Sequence, residues 1–254
     1  MIPGANRTMN YGNLVPVKMN AIPGGLGLVC LGLGFILWPL FLAAGVFLLV
    51  SGYFTIAWLL FSPKSGNLQE RINGLALAHL DWTGKGKALD IGCGNGPLAI
   101  SLAQRYSEAE VVGIDSWGKG WGYSMRICGE NARLAGVDQR VSFRQGSASN
   151  LPLEDESFDL VVSNLVFHEV KDAVDKRRCI REAMRILKPQ GVFVLQDLFL
   201  LKAYYGTPEE LVKTVRGCEV REVELIRTCD APFIPGVVKL PFMLGRLAIL
   251  RGVK

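Results

Sequence analysis

Residues 87–97 read Lys87-Ala88-Leu89-Asp90-Ile91-Gly92-Cys93-Gly94-Asn95-Gly96-Pro97. A short apolar run ends in a Gly-x-Gly-x-Gly turn that opens a helix. Glycine tolerates unusual backbone angles and leaves room for a ligand against the main chain. The helix start then presents unpaired amides. Nineteen residues beyond Gly96, at the end of a second apolar run, stands Asp115. A carboxylate there accepts hydrogen bonds from ribose hydroxyls. Alone, this pattern fits any nucleotide-type cofactor. The dinucleotide fingerprint is Gly-x-Gly-x-x-Gly, which opens the helix start for a pyrophosphate. Here the third glycine comes one residue early, and Asp90 stands just before the first. A carboxylate at that entrance repels pyrophosphate and suits a ligand with a positive amino group.

Outward from this turn, short apolar runs alternate with helical stretches. Strands are predicted at Ala88–Ile91, Val111–Asp115, Val141–Arg144, Phe158–Ser163 and Val192–Gln196, with two more at 220–228 and 246–253. Helices are predicted at Gln69–Leu80, Pro97–Tyr106, Gly122–Ala135, Asp172–Leu187 and Pro208–Arg216. Such alternation implies a parallel sheet with helices on both faces. Val111-Val112-Gly113-Ile114 and Leu160-Val161-Val162 are apolar without a break, as strands buried on both sides are.

Residues 86–200 resemble the class I S-adenosylmethionine-dependent methyltransferases, near their small-molecule "type 11" branch. Leu89–Gly96 is similar to the family's first motif, so the resemblance implies that Gly92, Gly94 and Gly96 cradle the methionine part of the cofactor, with Asp90 near its amino group. Val111–Asp115 resembles the second-strand acid motif, which assigns the ribose to Asp115. Gly146-Ser147-Ala148 falls where the family often has Gly-Asp-Ala around adenine, and Ser147 replaces that acid. Phe158–Asn164 resembles the fourth-strand motif, and Leu187–Gly191 the turn into the fifth strand. The implied fold is a Rossmann-like, seven-stranded, mostly parallel sheet with helices on both faces. Trp117 is expected at the adenine rim, either stacking or packing on the surface, and the stretch Trp117–Trp121 is a second way to shape the pocket. Asn164 completes the expected cofactor set.

Methyl transfer from a sulfonium is an in-line displacement, so a protein mainly aligns the acceptor and excludes water. A general base is needed only where the acceptor keeps its proton near neutral pH. Ligands bind at the carboxyl ends of the strands in this topology. His168 and Glu169 follow the fourth strand and Asp197 ends the fifth. His168 is one of two histidines and the best base candidate, with a structural loop role as the alternative. Glu169 either orients His168 or caps the next helix, and Asp197 either meets a polar acceptor or ties down the strand end. Tyr204 and Tyr205 read as helix packing, with stacking on an acceptor as the alternative, and His79 as structural or surface.

Before the sheet the chain changes character. Met19 to Pro63 is a run of 45 residues without one charged residue or histidine. As one helix it would be roughly 67 Å long, against a hydrocarbon core of about 30 Å. Two spans, about Gly24–Trp38 and Leu40–Phe61, use that length, with a break at Trp38-Pro39. A single kinked span and a buried hairpin are the alternatives. The expected domains are an anchor over 1–65, a transmembrane hairpin, and a catalytic domain over 66–254. Arg7 and Lys18 precede the spans and Lys64 and Arg71 follow them, so both ends read as cytoplasmic: multi-pass, with the catalytic domain on the cytoplasmic face.

The chain has 254 residues, 50% hydrophobic and 20% charged, which excludes a disordered chain. Six cysteines without a C-x-x-C pair point away from a zinc site and a disulfide framework, and no metal is expected. Net charge is +5, and residues 231–254 carry +4 of it with no acid. That excess suits anionic lipid better than nucleic acid, with ordinary surface charge as the alternative. The link Ala231–Gly245, with Phe233, Phe242 and Met243, is apolar enough to form a rim at a bilayer. The expected partners are therefore the bilayer and a small apolar acceptor, with no nucleic acid. Open at this point are a soluble or protein acceptor, a cofactor-binding module without catalysis, and a nicotinamide oxidoreductase.

Overall fold

A computed structural model describes residues 8–118 and 122–254. They form two compact units, one over 12–72 with Gly122 and the other over 8–11, 73–118 and 123–254.

The smaller unit is a helical hairpin. Helix α1 spans Lys18–Leu33 and α2 spans Leu40–Phe61. The break falls where Pro39 precedes α2, as the sequence predicts. The first helix starts and ends earlier than expected, and it tolerates Pro23 within its first turns. Small residues let the helices approach: a Cβ on Gly27 would lie 2.9 Å from the Leu48 side chain. Ser51 Oγ donates to the Asn20 carbonyl across the pair at 2.9 Å. With 22 residues and a mean hydropathy of 2.1, α2 is long and apolar enough to cross a membrane. The 16 residues of α1 reach only roughly 24 Å at about 1.5 Å each. The unit runs past the expected boundary at 65. The Ser65 hydroxyl and the Gly66 amide both donate to the Leu59 carbonyl, which folds the linker back on the end of α2.

The larger unit is a seven-stranded sheet. Its strands are β1 (Gly86–Ile91), β2 (Ala109–Asp115), β3 (Val141–Gln145), β4 (Phe158–Asn164), β5 (Leu187–Asp197), β6 (Glu222–Arg227) and β7 (Ala248–Val253). The order is β3-β2-β1-β4-β5-β7-β6, parallel except for β7, which is antiparallel to both neighbours. The helices are α3 (Leu68–Ala78), which runs from the first unit into this one, α4 (Pro97–Arg105), α5 (Met125–Leu134), α6 (Arg177–Ile186), α7 (Lys202–Tyr205) and α8 (Pro208–Arg216). Two buried clusters cover the two faces of the sheet. One joins α4 and α5 to Ala88, Val111 and Leu160; the other joins α6 and α8 to Leu89, Val161 and Phe193.

All seven predicted strands are present. Leu187–Gly191, read as a turn, is instead the bulged start of β5: Phe158 pairs with Leu187, then Leu160 with Val192. Lys188 holds this stretch by pairing with Asp159 at 2.8 Å. The register aligns the carboxyl ends of the central strands. Ile91 lies beside Ile114 and Ser163, Asn164 beside Gln196, and Asp197 beside Ala248. Strand order reverses between β1 and β4, and a crevice opens at such a switch point.

Candidate functional site

Three left-handed glycines form the turn after β1. Their φ angles are +74° at Gly92, +57° at Gly94 and +83° at Gly96, which caps α4. The Gly92 and Cys93 amides donate to the Ile114 carbonyl at 2.7 and 3.1 Å, tying the turn to β2. A Cβ on Gly92 would sit 2.2 Å from Val166, so the loop after β4 rests directly on the turn.

Asp115 closes β2 beside Gly94. One carboxylate oxygen accepts the Gly94 amide at 2.9 Å and the other the Trp117 amide at 2.8 Å. Burial pushes its pKa up, against the pull of these amides. The Ser116 amide also points at this carboxylate, which has about four acceptor positions. Trp117 adopts φ +43° and its indole N–H donates to the Gly94 carbonyl at 2.8 Å. The ring therefore lies against the glycine turn. Lys119, Gly120 and Trp121 lie outside the described residues. Asp90 is buried beneath the turn, where it accepts the Ala99 amide of α4 at 3.0 Å. Burial pushes its carboxyl up to about 7, with Asp115 adding to the rise against the Ala99 amide. Its visible role is to hold the start of α4.

Ser147 and Asn164 are both engaged within the protein. The Ser147 hydroxyl donates to Asp172 at 2.8 Å, and Ser149 joins it at 2.7 Å. These two hydroxyls hold the Asp172 carboxyl below its usual range. Ala148 is buried beside them. Asn164 donates to Asn73 of α3 at 2.5 Å and accepts from Gln196 at 2.7 Å.

The strongest pair at this end is His168 with Asp197. The Asp197 carboxylate is buried and accepts the amides of Phe167 and Leu198 at 2.7 and 2.6 Å. The His168 Nδ1 lies 2.6 Å from Oδ1, the oxygen that also takes the Leu198 amide. Burial alone would raise Asp197, but the imidazole and these amides outweigh it and hold the carboxyl low. Burial likewise opposes charge on His168, yet the Asp197 carboxylate outweighs it and raises the ring above 6.5. An ionised Asp197 fixes the proton on Nδ1 and leaves Nε2, 3.6 Å from a Glu169 carboxylate oxygen, as the exchangeable position. Tyr205 is buried, edge-on to Phe199 at 5.0 Å, in the packing role expected of it. His79 bonds back to the Leu75 carbonyl at 2.9 Å in a structural role.

Sequence reasoning missed several partners. Asn131 of α5 donates to the Asn95 carbonyl at 2.9 Å and pairs with both backbone groups of Asn10. It clamps the glycine turn to the N-terminal segment. Tyr123 lies against Gly94, and its hydroxyl is raised by burial and by Asp115. Asp172 and Asn73 were missed too. All are distant in sequence from the groups they hold, and none carries a local motif.

The residues present suit a sulfonium nucleoside. The turn exposes main chain rather than side chain, and a partly buried carboxylate stands next to it with acceptor capacity left for a diol. A segment of 120 residues is 36% identical to the 27-O-demethylrifamycin SV methyltransferase of Amycolatopsis mediterranei (strain S699), covering 47% of this chain and 41% of that protein. A segment of 119 residues is 34% identical to the phthiotriol/phenolphthiotriol dimycocerosates methyltransferase of Mycobacterium tuberculosis (strain ATCC 25618 / H37Rv), covering 47% and 40%. The chain thus spans less than half the length of these relatives. The fold superposes on the geranyl diphosphate C-methyltransferase of Streptomyces coelicolor A3(2), solved with Mg2+, geranyl diphosphate and S-adenosyl-L-homocysteine. The TM-score is 0.56 at 14% identity, over 77% of this chain and 86% of that one. Residues 83–222, more than half of the chain, match the family described as a methyltransferase domain, and the chain belongs to that family of S-adenosyl-L-methionine-dependent enzymes.

Proposed function

We propose that this protein is a membrane-associated S-adenosyl-L-methionine-dependent methyltransferase that acts on a small apolar acceptor. The observation that carries the reading is the Asp115 carboxylate beside the left-handed turn Gly92–Gly96. Gly92, Gly94 and Gly96 would hold the methionine part against main chain, and Asp115 the ribose. Ala148 and Trp117 would border the adenine. Bound there, the cofactor supplies an electrophilic methyl group.

The rest falls to the protein. The sheet end aligns the acceptor, and the loop after β4 shields the reacting atoms from water. Where the acceptor carries a proton, His168 takes it at Nε2. Asp197 positions the ring and stabilises the imidazolium that results. Glu169 stands beside the same nitrogen at 3.6 Å. This buried pair favours catalysis over a binding module, because a module needs no group poised to move a proton.

The apolar helices support association with a bilayer. Helix α2 serves as one span, and both ends face the cytoplasmic side if the shorter α1 crosses beside it as the other half of a hairpin. The relatives named for rifamycin and dimycocerosate substrates, and the geranyl diphosphate enzyme, support a small or lipid-like acceptor.

The test is mass spectrometry of native membrane extract incubated with the purified full chain and methyl-labelled cofactor. A labelled apolar product and stoichiometric S-adenosylhomocysteine are expected. Extract that yields no S-adenosylhomocysteine above a control without protein would contradict the proposal.

A further inference from the structure

We propose that the link between β6 and β7, residues 231–246, docks on a bilayer surface rich in anionic headgroups. This rests on the reading of the apolar helices as bilayer-associated, and adds a second point of contact at the catalytic end.

The link carries two rows of apolar side chains. Ile234, Val238 and Leu244 are buried, at most 3% exposed, and pin the link to the domain. Val237, Leu240 and Phe242 are 41%, 38% and 61% exposed. They stand on a frame bonded to itself. Lys239 donates its amide to the Gly236 carbonyl at 3.0 Å, Leu244 to Val238 at 3.0 Å, and Gly245 to Leu240 at 3.0 Å. The frame closes so tightly that a Cβ on Gly245 would lie 2.2 Å from the Lys239 carbonyl. Inserting these side chains would therefore order little that is not already ordered.

Charge selects the occupant. Of the four cations in residues 231–254, the fold consumes two: Arg251 pairs with Glu224 at 2.8 Å and Lys254 with Glu156 at 3.3 Å. Lys239 and Arg246 make no ion pair among the described residues. The nearest acid in sequence, Asp230, is taken by Arg227 at 3.1 Å. Two uncompensated cations, Lys239 and Arg246, thus bracket the exposed Leu240 and Phe242, with Val237 just before them. That is the complement of hydrocarbon lying under anionic headgroups. An acidic protein surface would answer the cations and leave the apolar side chains unmatched. The link also emerges at the reacting end of the sheet. Leu200 donates to the Arg246 carbonyl at 3.1 Å, and Ala248 opens β7 beside Asp197. Docking would present that end to molecules dissolved in the bilayer.

Amide hydrogen exchange of the full chain in nanodiscs tests this. One set of discs is phosphatidylcholine, the other phosphatidylcholine with phosphatidylglycerol. Slower exchange over 236–245 is expected in the anionic discs. Each cation at an anionic surface changes partition about fivefold, so Lys239→Gln with Arg246→Gln should lower occupancy roughly 25-fold and restore fast exchange. Phe242→Asp, which leaves the frame's hydrogen bonds in place, should do the same. Incorporated protein with equal exchange in both discs would overturn the docking and leave the anchor reading standing. Failure to incorporate in either disc would overturn both. Protection that grows with protein concentration in both lipids would make a second copy the occupant and overturn the lipid assignment.

Discussion

His168 shows how one buried carboxylate sets two properties at once. Asp197 raises the imidazole above 6.5 and is itself held low by the imidazole and backbone amides. For catalysis, the base must lose its proton, so the rate of a proton-bearing acceptor should rise as pH climbs through the raised value. His168→Gln should cut turnover by about 10²–10⁴ and erase that limb, while cofactor affinity stays as it is. A pH–rate profile on a defined acceptor checks this, and wild-type turnover in the variant would remove the base. Stability runs the other way. A histidine raised in the fold contributes fully below its unfolded pKa and loses that contribution as pH rises through the folded one. Asp197, lowered in the fold, contributes above its unfolded value near 3.8 and fails as pH falls through its lowered value. Melting curves should therefore show the gap between wild type and His168→Gln widest near pH 4–6 and narrowing above neutrality. A gap that stays constant to about pH 9 would deny the ion pair.

At the scale of elements, the glycine turn is where conformation and packing act together. Gly92→Ala combines a left-handed φ of +74° with a Cβ only 2.2 Å from Val166. The two costs sum to about 2–5 kcal/mol of stability. Gly136→Ala, at φ +70° with open space around it, should cost only about 1–2 kcal/mol. Chemical denaturation of both variants separates the terms, and equal losses would contradict the packing argument. The same contrast explains which elements are legible in the sequence. Buried apolar runs such as Leu160-Val161-Val162 declare a strand locally, and the glycine turn declares its own geometry. Helix starts are less legible because distant side chains decide them. Helix α5 begins after Ser124, whose hydroxyl accepts the Ile127 amide, rather than at Gly122. Helix α6 begins at Arg177 rather than Asp172, because Ser147 and Ser149 hold Asp172 and Asp175 accepts the Arg177 amide. Ser147 and Asn164 were legible as positions at strand ends, but not as side chains already engaged. Their partners lie 25 and 91 residues away in sequence.

For the whole molecule, the two units treat apolar side chains differently. Leu28, Phe35, Ile36 and Leu49 are 63%, 84%, 86% and 77% exposed, all within the run that lacks charge. The sheet unit, by contrast, buries its apolar residues in two clusters. A chain anchored through α2 should stay in the membrane pellet after an alkaline carbonate wash of cells that express it. Release into the supernatant would count against anchoring without touching the chemistry. The chemistry itself stands on the seat formed by Gly92–Gly96 and Asp115. Titration calorimetry of the full chain with S-adenosylhomocysteine addresses that seat directly. One molecule should bind per chain, and Asp115→Ala should weaken it by about 1.5–3 kcal/mol, roughly 10- to 150-fold. No heat of binding in the wild type, or the same affinity in the variant, would contradict it.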